Sequence, residues 1–301
     1  MKNLSCLRIS IITASILFLN TTYGSSQSKD SERVPPVVSA EWLNQNISKT
    51  GIIILHVTPV RLDYEIGHIP GARFLWPGYI IISTENESTI PAPAEQAEEK
   101  LKELGVNNDS HVILCGLYGN VIQVCRVFVN LEHYGLRGKV SILNGGFEAW
   151  KNAGYETSTA SPETVKGNFR INTYENLVGG EFVRSALNNS AYTIIDARPK
   201  AQYDGTTGTP RAGHLPGAKN LPQADMYDSK SFMFNEEEQI RKAFEKINIS
   251  PGSRPIVYCH LGYSASVVYV ASIIAGYEPL QYDGSMEEWG SHFDWPMEKN
   301  E

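Results

Sequence analysis

An internal repeat restricts the folds that this chain can adopt. Residues 67–72 read GHIPGA, and residues 213–218 read GHLPGA. Further along, residues 143–150 read LNGGFEAW, and residues 282–289 read YDGSMEEW. Two pairs of matching motifs in the same order indicate a duplicated domain. The chain has 301 residues, which is enough for two domains of ordinary size.

Both copies show the same alternation of predicted strands and helices. Short runs rich in β-branched residues at 52–57 and 192–197 are typical of strands buried on both faces. Second predicted strands occupy 111–115 and 255–259. The predicted helices are 94–104, 123–134, 236–246 and 265–275, with Gly135 and Gly276 as C-cap glycines. This alternation predicts an α/β fold in which each copy has a central parallel sheet with helices on both faces.

Composition and charge exclude several classes of partner. The chain is 42% hydrophobic and 20% charged, as expected of a packed protein, and its net charge is -7. Because there is no dense cluster of Lys and Arg, we expect no nucleic-acid partner. The cysteines form no C-x-x-C pair and no run with histidine at zinc spacing, so we expect no metal and no cofactor.

The N-terminus has the pattern of a secretory signal peptide. Lys2 and Arg8 supply basic charge, residues 9–19 are apolar, and residues 22–24 place small residues where a signal peptidase cuts. The apolar run is shorter than the roughly 20 residues that span a bilayer. We expect cleavage after residue 24 and a secreted, periplasmic protein with no membrane attachment. An uncleaved anchor and a disordered tail are the alternatives.

The cysteines differ in what their positions predict. Cleavage removes Cys6 and leaves three, an odd number, so at least one thiol is unpaired within the chain. Cys259 closes the predicted strand 255–259 and precedes the loop 260–264. At the carboxyl end of a parallel strand, loop amides and a helix N-terminus favour an anion and stabilise a thiolate. Cys259 is therefore a candidate nucleophile, with simple core packing as the alternative.

The composition of the loop supports this interpretation. Gly262 stands where a tight turn requires a positive φ, and the Ser264 and Ser266 hydroxyls can cap the next helix or bind an anion. Ser266 as an N-cap only and Tyr263 as an ordinary exposed aromatic residue are the alternatives.

Taken together, these motifs resemble the rhodanese-like sulfurtransferases. The resemblance rests on DAR at 196–198, YDG at 203–205, RAGHLPGA at 211–218, NLP at 220–222, YC at 258–259 with Gly262, and YDGS at 282–285 with Glu288 and Trp289. The first copy resembles the same family through residues 67–72 and 144–150. The resemblance covers nearly the whole mature chain. It implies two tandem rhodanese-like domains, as in the thiosulfate and 3-mercaptopyruvate sulfurtransferases.

The expected organisation follows from the repeat and the resemblance. It consists of a signal peptide (1–24), a linker (25–36), an inactive first domain (37–155), a connecting segment (156–179) and a catalytic second domain (180–299).

The resemblance also implies a reaction. The Cys259 thiolate would take sulfur from thiosulfate or 3-mercaptopyruvate as a persulfide and pass it to cyanide or a thiol acceptor. Substrate-binding candidates in the loop are His260, Leu261, Gly262, Tyr263 and Ser264, whose amides would hold the terminal sulfur. Arg211 is the candidate for binding the donor's anionic group, with a solvated loop arginine as the alternative.

Other motif residues are assigned structural roles. The resemblance implies that Asp196 and Arg198 form an ion pair at the strand end. His214 has a counterpart, His68, in the copy without an evident site, which favours a turn residue. The loop matches neither the basic loops of thiosulfate users nor the Gly-Ser-Gly loops of mercaptopyruvate users. Some relatives have a second substrate-binding arginine at the position where this chain has Gln202. The identity of the sulfur donor is therefore left open.

The first copy is predicted to be inactive. Its strand end, LHVT at 55–58, lacks the ion-pair residues. Cys115 ends the equivalent strand, but the loop that follows is about three residues longer when the helix-ending glycines are aligned. We therefore predict that Cys115 is a core or pseudo-site residue, with a redox or secondary sulfur-carrying role as the alternative. Cys125 falls inside a helix and is predicted to be core.

Two other functional classes can place a cysteine in such a loop. A cysteine-loop phosphatase needs an arginine six residues after its cysteine, and Ala265 stands there. A non-catalytic sulfur-carrier or partner-binding module remains as the alternative function.

Overall fold

A computed structural model describes residues 33–85, 87–117, 120–207, 211–250 and 252–300. The predicted signal peptide and most of the predicted linker, residues 1–32, lie outside this described part. The two copies of the repeat are called the first half and the second half below.

The first half alternates strands and helices as the sequence predicts. Its strands are β1 (Val37–Val38), β2 (Ile52–Val57), β3 (Arg73–Leu75), β4 (Ile81–Ile82), β5 (Ile90–Pro91), β6 (His111–Gly116) and β7 (Val140–Leu143). Its α-helices are α1 (Ala40–Asn46), α2 (Arg61–Glu65), α3 (Ala94–Glu103), α4 (Val121–Leu131) and α5 (Gly146–Asn152). A 3₁₀ turn covers Pro77–Tyr79, and a π-helical turn, Glu132–Leu136, continues α4.

The second half repeats this order. Its strands are β8 (Leu177–Val178), β9 (Tyr192–Asp196), β10 (Lys219–Asn220), β11 (Arg254–Tyr258) and β12 (Leu280–Tyr282). Its α-helices are α6 (Gly180–Ala186), α7 (Lys200–Tyr203), α8 (Glu237–Lys246), α9 (Tyr263–Ile274) and α10 (Ser285–Ser291), with a 3₁₀ turn at Gln223–Asp225.

Each half is built on a parallel sheet, and the two sheets have the same strand order. The first runs β1-β7-β6-β2-β3, and the second runs β8-β12-β11-β9-β10. Every pairing in both sheets is parallel. The antiparallel pair β4-β5 lies outside them. The α/β fold class and the duplication predicted from the sequence are confirmed.

Near Cys259, the observed ends of the strands and helices differ from the predicted ones. Helix α9 begins at Tyr263, two residues before the predicted start, and β11 ends at Tyr258, so Cys259 lies in the loop itself. The segment predicted to connect the halves contains β8, which pairs with β12 at the edge of the second sheet. The end of that segment therefore belongs to the second half. Pairing with β12 gives the backbone N–H and C=O groups of β8 their hydrogen-bond partners.

One hydrophobic core runs through both halves where α4 packs against α9. The cluster includes Phe128 and Leu131 of α4 and Val267 and Val270 of α9, all at most 1% exposed. Helix α9 is apolar on nearly every side, as a helix buried between layers should be. Within the described residues, no helix has the length and apolar character needed to cross a membrane.

Candidate active site

The Cys259 thiol lies at the carboxyl end of the central strands of the second sheet. The residue follows β11, which runs between β9 and β12, and it is 2% exposed. The Gly262 backbone N–H donates a hydrogen bond to Cys259 Sγ at 3.1 Å. Helix α9 starts at the next residue, so the sulfur also meets the positive end of a twelve-residue helix. Both features stabilise negative charge on the sulfur.

The loop carbonyls point away from this sulfur because each one accepts a bond from outside the loop. The Cys259 carbonyl accepts from the Met286 N–H at 3.2 Å, and the His260 carbonyl accepts from the Glu287 N–H at 3.0 Å. Both donors come from the first turn of α10. The carbonyls are thus occupied by donors outside the loop, and the Gly262 N–H is directed at Cys259 Sγ.

Gly262 is the turning point of the loop. Its φ is +86°, in the left-handed region that favours glycine. Its carbonyl accepts bonds from Ser266 Oγ at 2.9 Å and from Gln281 Nε2 at 3.1 Å. Ser266 therefore lies inside α9 and bonds backwards to the loop. The prediction that Ser266 could be the N-cap is wrong, because the helix begins three residues earlier.

The structure brings the loop candidates together around Cys259. Exposure varies along the loop: His260 is exposed, Leu261, Tyr263 and Ser264 are half-buried, and Gly262 is buried. The loop therefore presents an exposed imidazole to solvent and the buried Gly262 N–H to the sulfur. Their contacts with a substrate stay a prediction.

Arg211 is bound elsewhere. Its Nη1 donates to the Trp289 carbonyl at 3.1 Å and to the carbonyl of His292, and its Nη2 donates to the carbonyl of Trp295. Both arms of the guanidinium fork thus bind the end of α10 and the segment that follows it. Binding of a donor's anionic group by Arg211 stays a prediction, and these bonds occupy three of its five N–H donors.

A buried ionic cluster lies directly below the site. Asp196 Oδ2 and Arg198 Nη2 are 2.6 Å apart, which confirms the predicted ion pair. The Tyr258 hydroxyl donates to Asp196 Oδ2 at 2.7 Å, and Arg198 Nη2 donates to the Gly213 carbonyl at 2.7 Å. Burial, followed by the negative charge of Asp196, raises the pKa of Tyr258 well above its ordinary value. The cluster ties the end of β9 to β11 and to the turn before β10.

The two repeat histidines have the same structural role. His214 Nδ1 lies 2.8 Å from the Tyr203 carbonyl, and its ring stacks on Tyr203 with centroids 3.8 Å apart. His68 Nδ1 lies 2.8 Å from the Tyr64 carbonyl and stacks on that ring at 3.9 Å. Both are turn residues satisfied by a preceding tyrosine, as predicted.

Strand register shows that Cys115 is not the counterpart of Cys259. In the first sheet His56 pairs with Cys115, and in the second sheet Asp196 pairs with Tyr258. Cys115 therefore occupies the position of Tyr258, and Gly116 occupies the position of the nucleophile. Placing Cys115 at the equivalent strand end was wrong by one residue, a shift that reverses the face of a strand. Burial raises the pKa of the Cys115 thiol, as expected of a core residue.

The first-half loop is also closer in length to its counterpart than predicted. Residues 117–120 separate Gly116 from α4, and residues 260–262 separate Cys259 from α9, a difference of one residue. The π-helical turn Glu132–Leu136 accounts for a second residue of the predicted difference, since a π turn adds one residue to a helix. The remaining residue of the predicted three came from aligning Cys115 with Cys259.

The comparisons with known proteins agree with this geometry. The pattern of the family described as Rhodanese-like domain matches residues 39–153 and 181–292. This chain belongs to that family. The 3-mercaptopyruvate sulfurtransferase of Escherichia coli K12 is 31% identical over 281 residues, which cover 87% of this chain and 97% of that protein. Thiosulfate/3-mercaptopyruvate sulfurtransferase 1 of Arabidopsis thaliana is 28% identical, over 93% of this chain and 81% of that protein.

A solved structure shows the same rhodanese fold. The crystal structure of the 3-mercaptopyruvate sulfurtransferase SseA from Escherichia coli superposes with a TM-score of 0.73 at 28% identity, covering 84% of this chain and 99% of that chain. In the part of this rhodanese-like chain that is described, no group of three or more His, Cys, Asp or Glu is arranged to hold a metal ion.

Proposed function

We propose that this chain is a sulfurtransferase that moves a sulfane sulfur through a persulfide on Cys259. The observation that carries the proposal is the Gly262 N–H bond to Cys259 Sγ at 3.1 Å, at the N-terminus of α9. A thiolate held in this way is a nucleophile whose product, a terminal sulfur anion, can be stabilised by the same group of amides. The curated relatives, named as sulfurtransferases, support the same reaction.

With thiosulfate as donor, the Cys259 thiolate attacks the outer sulfur. A new S–S bond forms, the S–S bond of the donor breaks, and sulfite leaves with the bonding electron pair. With 3-mercaptopyruvate, the C–S bond breaks instead, and the leaving enolate takes up a proton to give pyruvate. An acceptor, cyanide or a thiolate, then attacks the terminal sulfur and releases the Cys259 thiolate unchanged.

The pattern of residues 1–24 supports a secreted, periplasmic location for this activity. Donor and acceptor would then be small molecules of that compartment, and one thiol must stay reduced there. Cys115, Cys125 and Cys259 are all unpaired in the structure. Burial protects the first two, and the reaction itself requires the third to be free.

The test uses intact-mass measurement followed by turnover. After treatment with either donor, the wild-type chain should gain the mass of one sulfur and lose it when cyanide or a thiol is added. Cys259→Ser should gain no sulfur and show no turnover, because the nucleophile is gone.

The matched control is Cys115→Ser, which removes a buried thiol of the first half and should keep most of the transfer activity. If Cys259→Ser retains activity with both donors, the proposal is wrong. A wild-type chain that gains sulfur but never turns over would instead be a sulfur carrier.

A further inference from the structure

A short segment of the first half lies against the catalytic loop of the second. This segment, residues 87–89, is called the strap and immediately precedes β5. The Ser88 N–H and hydroxyl donate to the Glu287 carboxylate at 3.0 and 2.9 Å. The Thr89 hydroxyl donates to the carbonyl of Leu261, in the middle of the loop. The strap thus bonds to the loop and to the α10 residue whose N–H holds the His260 carbonyl.

A buried arginine fixes the strap from behind. Arg126, on α4 and fully buried, donates through Nη2 to the Thr89 carbonyl and forms an ion pair with Asp283 at 2.6 Å. Asp283 lies next to the loop: a Cβ atom on Gly262 would be 3.3 Å from its carbonyl and 3.4 Å from Thr89 Oγ1. A buried charge is retained only with such partners. Arg126 therefore joins α4 to the strap and to Asp283, which lies beside the loop.

Thr89 is held in an uncommon backbone conformation. Its φ is +61°, in the left-handed region, and it is 6% exposed. A β-branched residue rarely adopts this conformation and keeps it only where the surroundings enforce it. Here the hydrogen bonds of its carbonyl and its hydroxyl hold Thr89 in this conformation. The side chain therefore reaches the loop at the expense of an unfavourable backbone conformation.

We infer that Thr89 is a positioning residue for Cys259, an inference that rests on the proposed function. The carbonyls of Cys259, His260 and Gly262 are all turned outward by donors of the second half. The Leu261 carbonyl is turned outward by the first half, through Thr89. The Leu261 carbonyl and the Gly262 N–H belong to one planar peptide group, so the Thr89 bond on one side helps to hold the N–H toward Cys259 Sγ on the other. The inactive half thus completes the site of the active one.

The reciprocal contact provides a control. In the second half, the Phe234 N–H donates to Asn144 Oδ1 at 2.8 Å, beside the loop that follows Gly116. Phe232 and Phe234 line this space and leave a cavity of only about 20 Å³ there. Asn144→Ala removes this contact between the halves, which does not involve Cys259.

The experiment compares Thr89→Gly with Thr89→Ser in the full-length chain. Glycine removes the hydroxyl and accepts the positive φ, so folding is preserved, whereas serine keeps the hydroxyl. Two quantities are measured: turnover, and the pH dependence of Cys259 alkylation by iodoacetamide, located by peptide mass mapping. The alkylation needs no sulfur donor, so it reports on the loop even if sulfur transfer itself is not observed.

In Thr89→Gly, turnover should fall about fivefold, the effect of losing one hydrogen bond, and the alkylation profile should move to higher pH. Thr89→Ser and Asn144→Ala should keep the wild-type values of both. A wild-type alkylation profile in Thr89→Gly overturns the inference, as does a Thr89→Ser variant that is equally impaired.

Discussion

At the scale of single residues, one exchange distinguishes the two halves. Asp196 and His56 stand at equivalent strand positions, paired with Tyr258 and Cys115 of the neighbouring strands. Asp196 is bonded to Arg198 and Tyr258, whereas His56 is fully buried and neither ring nitrogen has a hydrogen-bond partner among the described residues. Burial lowers the pKa of His56 to about 4. The first half thus has a neutral imidazole where the second half has an ionic cluster.

This exchange predicts acid sensitivity. Because the folded-state pKa of His56 is below its unfolded value, the unfolded chain binds more protons below pH 6.5, and stability is lost as pH falls toward 4. His56 alone should lower the free energy of unfolding by about 2 kcal/mol between pH 7 and pH 5. His56→Phe should remove this part of the loss in urea titrations at the two pH values. Burial also lowers the pKa of His111 to about 4, so this residue should contribute a further loss of stability in both proteins. An equal loss in His56→Phe and wild type would contradict the prediction.

At the scale of elements, the functional unit is β11, its loop and α9. The strand brings the backbone to the sheet edge, Gly262 reverses it with a positive φ, and α9 then directs its N-terminus at the sulfur. The turn is crowded, since a side chain on Gly262 would contact Asp283, Gln281 and Thr89. The backbone conformation therefore favours glycine at this position, and packing leaves little room for a side chain.

Gly262→Ala should impair Cys259 as well as stability. The positive φ costs about 1 kcal/mol or more for any non-glycine residue, and the added methyl also displaces the loop. Gly217→Ala is the matched control: its φ is +70°, it is exposed, and nothing lies within 4 Å of the added Cβ. Both variants should unfold at lower denaturant concentration, but only Gly262→Ala should lose sulfur transfer. Normal transfer in Gly262→Ala would contradict this account of the loop.

At the scale of the whole molecule, the two halves share a core. The hydrophobic cluster that contains Leu114 of β6 also contains Ile195 of β9, and it is continuous through the contact of α4 with α9. The strap, the Arg126–Asp283 ion pair and the Phe234–Asn144 bond join the halves at the sites. The first half has therefore kept a structural role although Gly116 stands where the nucleophile would be.

A shared core predicts one unfolding transition. Leu114→Ala and Ile195→Ala, one in each half, should each cost about 2–5 kcal/mol and shift the same transition, because cavities in one cooperative unit destabilise all of it. Calorimetry, together with circular dichroism and tryptophan fluorescence, checks whether the transitions coincide. Two resolved transitions, with each variant shifting only one, would show that the halves unfold separately.

The amino-acid sequence determined the features that depend on neighbouring residues. The repeat, the buried strands, the helix-ending glycines and the candidate Cys259 with its Gly262 turn are all local patterns of apolar periodicity and turn chemistry. The tertiary structure decided what depends on register and on contacts distant in sequence. Strand pairing made Gly116, and not Cys115, the counterpart of Cys259, since sequence spacing cannot fix a register to one residue. Thr89 and Leu261 are 172 residues apart, and only the packing of the two halves brings them together.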